Sequence, residues 1–178
     1  MTDAETIYEH YLTRKELQHA MRLFTVNLDP AYFVTANFNV PNMTLKQSRD
    51  ALCEFDKRMN RRFYNKKFCH QQASDRLFFI AFPEHINSNL HCHLLTRVPQ
   101  QLKPRFEIYA AYEFKKVIPS ASLRVDKLRT SDDIRKASYY ACKENFKIEN
   151  YDNFIISTEF SNSKKKYQIN CLLSNAEN

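Results

Sequence analysis

There is no glycine anywhere in the 178 residues of this chain. That absence removes two large classes of nucleotide-handling site. A Walker loop needs glycines so that backbone amides can close around phosphates, and a dinucleotide-binding turn needs them for its tight bend. Turns must rely instead on Asn, Asp, Ser and Pro, as at Val40-Pro41-Asn42 and Asn87-Ser88-Asn89. Cysteine is sparse: five residues, an odd number without regular spacing, which fits a reducing compartment better than a disulfide framework. Cys69-His70 together with Cys92 would begin a zinc site, but no C-x-x-C pair supports one. Long apolar runs are missing too. No segment is long enough to span a bilayer, and the acidic, polar N-terminus does not read as a signal peptide. The expected setting is the cytoplasm, without a membrane partner.

Positive charge is plentiful. The formal net charge is +7 and the isoelectric point about 9.1, which favours a polyanionic partner. Six cations, Lys57, Arg58, Arg61, Arg62, Lys66 and Lys67, fall within eleven residues, with Phe63 and Tyr64 interleaved. Such a run suits a phosphate backbone with an aromatic available for base stacking; the alternative is a solvated helix end. Arg124, Lys127 and Arg129 form a second, smaller patch. Phosphate contacts give affinity without sequence information, so these patches point to DNA and not to a particular site. Frequent Asn, Lys, Phe, Tyr and Ile fit an AT-rich coding sequence, as in a phage-related or other mobile element of a prokaryotic cell.

The pattern of elements implies one domain. Residues 4–23 read as a helix without a clear face, a lead-in outside the core. Residues 31–38 read as a strand. Thr44-Leu45-Lys46-Gln47 is a capping box, and the helix behind it sets Leu45, Leu52, Phe55, Met59 and Phe63 on one side. Strands are expected over 76–84 and 90–97, then a helix over 104–117 with Phe106, Ala110, Phe114 and Val117 inward. A strand over 122–126, a helix from Thr130 to about Phe146 and a last strand over 153–157 complete the order. This is α+β with a mostly antiparallel sheet and helices on its faces. The lead-in helix takes residues 1–25, the domain 26–160, and a flexible basic tail containing Lys164-Lys165-Lys166 the remaining 161–178.

Two segments carry chemistry. In Leu90-His91-Cys92-His93-Leu94-Leu95 the two imidazoles are two residues apart, so on a strand they share a face. If Ile86-Asn87-Ser88-Asn89 is a four-residue loop, Glu84 lies opposite His91 and joins that face, whereas His85 turns to the other. Two imidazoles and a carboxylate leave open positions for water and substrate. The mixed nitrogen and oxygen set suits Mn²⁺ or Mg²⁺ better than a closed zinc site. On the later helix, Ile134, Ala137 and Ala141 form a narrow stripe that lets it sit close to a sheet. Tyr140 and Lys143 are surface neighbours off that stripe, with Lys136 and Lys147 on the same flank. A phenol among ammonium groups is easier to deprotonate. Helix geometry alone does not choose between Tyr139 and Tyr140.

His91-Cys92-His93 and Tyr140-Ala141-Cys142-Lys143, with Glu84 and the aromatic, Thr-containing strand Phe33-Val34-Thr35-Ala36-Asn37-Phe38, together resemble the HUH endonucleases. The likeness is strongest to the single-tyrosine initiators of rolling-circle replication. The motifs stand in that family's order over roughly residues 30–147. The resemblance implies a ferredoxin-like or RNA-recognition-like core, a divalent ion held by Glu84, His91 and His93, and Tyr140 as nucleophile with Lys143 beside it. It further implies nicking of single-stranded or extruded DNA through a 5′-phosphotyrosine, with Arg58, Arg61, Arg62, Lys66, Lys67, Arg124 and Lys136 on the DNA. Many such initiators carry a helicase; none is expected within this chain, so a separate protein would supply it. A nickase directed at a competing phage genome and a single-strand transposase share the same chemistry. A non-enzymatic nucleic-acid-binding module would keep the basic patches without needing Tyr140.

Overall fold

The structure is a computed structural model that describes residues 3–65, 71, 75–143 and 153–161, with side chains from residue 15 to 160. Lys66, Lys67, Cys69, His70, Lys147 and the tail with Lys164–Lys166 lie outside the described residues. In chain order the elements are α1 (Asp3–Asn27), β1 (Tyr32–Asn37), α2 (Leu45–Tyr64), β2 (Phe78–Glu84), β3 (His91–Arg97), α3 (Lys103–Val117), β4 (Ser122–Lys127), α4 (Ser131–Ala141) and β5 (Ile155–Ile156). The strands form one antiparallel sheet in the order β4-β1-β3-β2-β5. The run from β1 to β4 is a β-α-β-β-α-β unit, and the expected α+β class is what the chain adopts. This order puts β3, with both histidines, in the middle of the sheet.

Alternation along the strands decides what each face meets. Tyr32, Val34 and Ala36 of β1, Phe79 and Ala81 of β2, and Cys92 and Leu94 of β3 share one face. They pack with Leu52, Phe55, Met59 and Phe63 of α2 and Phe106, Ala110 and Phe114 of α3 in the main core. Each fully buried Phe or Leu stabilises this layer by roughly 1.5–3 kcal/mol. The sequence's amphipathic stripes on α2 and α3 are therefore the ones used, with Leu45 and Val117 at the rim. Burial of Phe63 has a cost for the sequence reading: it lies in the core and is not free to stack on a base. Tyr64 rests edge-on against it, with ring centroids 6.3 Å apart.

The opposite face carries Phe33, Ile80, Phe82 and Leu95. It is covered by Ala137, Ala141 and Cys142 at the end of α4, and by Met21, Phe24 and Leu28 at the end of α1. The long first helix thus does more than lead in, since its last turns help to close this second, smaller cluster. Both α2 and α4 start on capping boxes. Thr44 pairs with Gln47 and Thr130 with Asp133, each satisfying two amides that would otherwise lack partners. A difference from the sequence reading appears at the far end of α4, which stops at Ala141 instead of running to Phe146. Cys142 and Lys143 form the turn that follows.

Without glycine, other residues take the left-handed backbone positions: Asp29, Asn39, Asn42, Asn65 and His85 all have positive φ, between 48° and 56°. Asn, Asp and His are the non-glycine types that tolerate this region best. The β2–β3 turn uses His85 for it, with φ of 53°.

Candidate metal centre

The register of the β2–β3 hairpin is the one the loop length predicts. Glu84 pairs with His91, and Phe82 with His93. Glu84, His91 and His93 therefore rise from the same face, on the side of α4. One ligand atom from each lies within 4.8 Å of the others, and the three can hold a metal ion. His91 Nε2 and His93 Nε2 are each 3.4 Å from Glu84 Oε2. Those separations are close to the roughly 3 Å between adjacent ligand atoms around an ion with bonds near 2.1 Å.

Hydrogen bonding on the far side of each ring prepares the inner nitrogen. His91 Nδ1 lies 3.1 Å from the Asn89 carbonyl, to which it donates. His93 Nδ1 lies 3.3 Å from Thr35 Oγ1 on the neighbouring strand. With Nδ1 occupied, the lone pair of Nε2 is left facing inward, as metal-binding imidazoles require. Glu84 is 1 % exposed and His93 4 %. Glu84 Oε1 and His93 Nε2 are nevertheless without a hydrogen-bond partner. Orphaned polar atoms this deep are costly. A bound cation would satisfy both, so the residues present fit one. Burial alone would raise the Glu84 carboxyl. The imidazoles of His91 and His93 close to its Oε2, with the positive charge of Lys143, outweigh it and hold the group far below the usual carboxylate range. Glu84 thus stays anionic. The neighbouring Glu84 carboxylate in turn raises His91, against the effect of burial.

Tyr140 and Lys143 stand over this group. The Tyr140 ring meets His93 edge to face at 5.1 Å and Phe33 at 5.9 Å, while Phe33 stacks on His93 at 5.1 Å. Lys143 Nζ is 3.4 Å from Glu84 Oε2 and 3.7 Å from the centre of the Tyr140 ring. Burial would lower the Lys143 ammonium, but its bond with Tyr140 and the Glu84 charge prevail and raise it. Tyr140 is 48 % exposed, so the ring is held on one side and open to a ligand on the other. Tyr139 points elsewhere: Arg22 of α1 sits over its ring at 4.5 Å. The two adjacent tyrosines are separated by the rotation of the helix, and only the second meets the histidines.

Other expected site residues are more scattered. Arg124 lies on edge strand β4, exposed, level with Thr35, which is itself level with His93. It shares the site's face and pairs with Asp126 at 3.0 Å. Lys136 is exposed on α4 and pairs with Asp132 at 2.6 Å. Arg58, Arg61 and Arg62 are on α2, on the far side of the sheet, and the fold does not bring them to Tyr140. Thr35 and Asn89, which fix the two imidazoles, were not singled out for that role in the sequence. The pairing of β1 with β3 that brings Thr35 to His93 is not local. His85 also differs from expectation. Its positive φ breaks the strand alternation, and its ring lies beside His91, with centroids 5.4 Å apart. Among the described residues no helix is long and apolar enough to cross a membrane. Comparison with family models, with curated proteins and with solved structures gives no match.

Proposed function

We propose that the chain is a metal-dependent DNA nickase of the HUH type, in which Tyr140 attacks a single strand and becomes linked to its 5′-phosphate. The observation that carries this reading is the meeting of two separate constellations. The carboxylate and two imidazoles on β2 and β3 lie directly beneath the phenol of α4, and Lys143 touches both. A structural histidine pair would need neither an exposed tyrosine nor a buried, unpartnered carboxylate oxygen.

Glu84, His91 and His93 would hold the ion, Mn²⁺ or Mg²⁺ by the mixed donor set. When bound, such an ion supplies Lewis-acid charge for a non-bridging phosphate oxygen. The chain's own residues do the rest. Phe33 and His93 hold the Tyr140 ring in position, and Lys143 places a positive charge beside it, within reach of an incoming phosphate. Tyr140 Oη forms the bond to phosphorus as the bond from phosphorus to the 3′-oxygen breaks. The phenol loses one proton and the departing 3′-oxygen gains one, so the exchange consumes neither water nor ATP. One phosphodiester replaces another, and the reverse step can rejoin the strand.

A single strand suits the face on which this happens. The ends of α1 and α4 lie over β2 and β3, while Ser122 and Arg124 of β4 remain exposed beside half-buried Phe33, Thr35 and Asn37. That half of the sheet offers an aromatic ring and a guanidinium to a splayed strand. Initiation of rolling-circle replication of a mobile element is the biological role proposed. The test is incubation of the protein with labelled single-stranded DNA from its own locus and Mn²⁺, followed by denaturing electrophoresis. A covalent protein–DNA band that disappears in chelator and in Tyr140→Phe is expected. Release of free cleaved strand with no adduct would overturn the tyrosine mechanism, and no cleavage of any strand would leave the non-enzymatic binding module.

A further inference from the structure

The rings of the metal centre form a row along β3. Phe33 pairs with Leu95 and Thr35 with His93 between β1 and β3, and Glu84 pairs with His91 between β2 and β3. Tyr140 meets Phe33 at 5.9 Å and His93 at 5.1 Å, so its ring stands over the end of the row nearest Leu95. His93 meets His91 at 5.0 Å, and His91 meets His85 at 5.4 Å. His85 therefore closes the row at the opposite end, in the turn that joins β2 to β3. The Glu–His–His centre makes no use of it.

Histidine is an uncommon choice for that position. Its φ is 53°, and the other residues with positive φ are Asp29, Asn39, Asn42 and Asn65. In a chain without glycine, asparagine is the ordinary residue for a left-handed turn, yet this turn carries an imidazole. The turn itself is fixed. The Ser88 amide donates to the His85 carbonyl at 3.0 Å, Ile86 packs against the main core, and Leu90 is buried. One face of the His85 ring is backed by His91, with 32° between the two planes. The residue is exposed, which leaves the other face to solvent. A flat ring backed on one side and open on the other suits the stacking of a base.

Attack at phosphorus expels the leaving oxygen on the side opposite the nucleophile. With Tyr140 over one end of the row and the reacting phosphate over the ligands in its middle, the departing 3′-oxygen points toward the other end, where His85 stands. We propose that His85 seats the base of the nucleotide that leaves with the free 3′-hydroxyl, and so holds the cut strand for rejoining. This rests on the nickase reading and adds to it a binding site for one of the two products. In rejoining, the 3′-oxygen of that nucleotide forms the bond to phosphorus as the bond to Tyr140 Oη breaks, and its proton passes to the phenol.

The test measures rejoining. Adduct is formed on a strand with a short leg 5′ to the mapped nick, and the released leg is washed away. An oligonucleotide with the same 3′-terminal sequence is then added back over a range of concentrations with Mn²⁺. His85→Asn keeps a residue suited to the left-handed turn and removes the ring. It should raise the half-saturating concentration of that oligonucleotide about fivefold or more, with the same Mn²⁺ dependence as the parent. An abasic 3′-terminal nucleotide should cost the parent about the same factor and cost His85→Asn nothing further, because both changes remove one contact. Parent-like rejoining by His85→Asn would overturn the proposal, as would losses that multiply when the two changes are combined. A shifted Mn²⁺ dependence or a complete loss of adduct in folded His85→Asn would overturn it too, by making His85 a support for His91. A parent that forms no adduct would remove the nickase reading and this proposal with it, whereas a parent that forms adduct without these effects would remove this proposal alone.

Discussion

Substituting Glu84 by Gln tests the metal centre with little change of shape. Glu84 Oε2 is 3.4 Å from His91, His93 and Lys143 alike, so the change removes the one anion that three groups share. Without an ion the loss is moderate. Lys143 is 39 % exposed in its side chain and can turn to water. The expected cost is about 1–2 kcal/mol, less than the 3–5 kcal/mol of breaking a fully buried pair. With an ion present the difference is larger. At a free Mn²⁺ concentration about 100 times the dissociation constant, binding adds about 2.7 kcal/mol to the parent's stability. For a chain of this size that raises Tm by roughly 5–11 °C. Losing the charged ligand should weaken affinity about 100-fold or more, so the same concentration then adds only about 0.4 kcal/mol. The assay is thermal unfolding of parent and variant across a Mn²⁺ titration, with chelator as the reference. A Tm rise in Glu84→Gln equal to the parent's would refute the assignment of Glu84 as a ligand.

Three further outcomes follow from the geometry. Thr35→Val removes the hydroxyl beside His93 Nδ1 and should weaken Mn²⁺ binding about 10- to 100-fold with little change in Tm in chelator; unchanged affinity would remove Thr35 from the centre's support. Asp56, held by Asn60 at 3.0 Å and facing Arg76 at 3.8 Å, is pushed by burial from near 3.8 up to about 7, despite Arg76 and Asn60. Its folded value lies above its unfolded one, so its contribution is full below the unfolded value and is lost as pH rises to about 7, by roughly 1.4 kcal/mol per pH unit; denaturant unfolding at several pH values should show that slope flattened in Asp56→Asn, and an identical slope would contradict it. Leu52→Ala, in the fully buried layer beneath α2, should cost about 2–5 kcal/mol by denaturant titration, and a loss below about 1 kcal/mol would mean that this layer is not the core.

Much of the site was legible because it is local. The four-residue turn after His85 fixes the register that opposes Glu84 to His91, and the two-residue strand period puts His93 on the same face. The capping box at Thr44, the helix start at Thr130 and the apolar stripe of α2 rest on equally short-range rules. What the sequence did not show depends on distant partners. The first helix has no clear apolar face until its last turns, Met21, Phe24 and Leu28, meet α4 and the sheet. Arg58 and Arg62 read as a free basic run, but Glu113, about fifty residues later, gathers them. His85 followed strand alternation in the sequence reading, and a left-handed backbone at that residue sets it beside His91 instead. Tyr139 and Tyr140 could not be separated by helix geometry alone. The contacts made by Arg22 and His93 separate them.

The central claim is that Tyr140 is the nucleophile over a Glu–His–His metal centre, and mass analysis of the protein–DNA adduct tests it most directly. After reaction with single-stranded DNA and Mn²⁺, nuclease trimming and proteolysis, the peptide containing Tyr139 and Tyr140 is fragmented to locate the attached nucleotide. The account predicts a 5′-phosphate on Tyr140 and none on Tyr139, with no adduct in His91→Ala or His93→Ala. A nucleotide on Tyr139, on any other residue, or on none at all would contradict it.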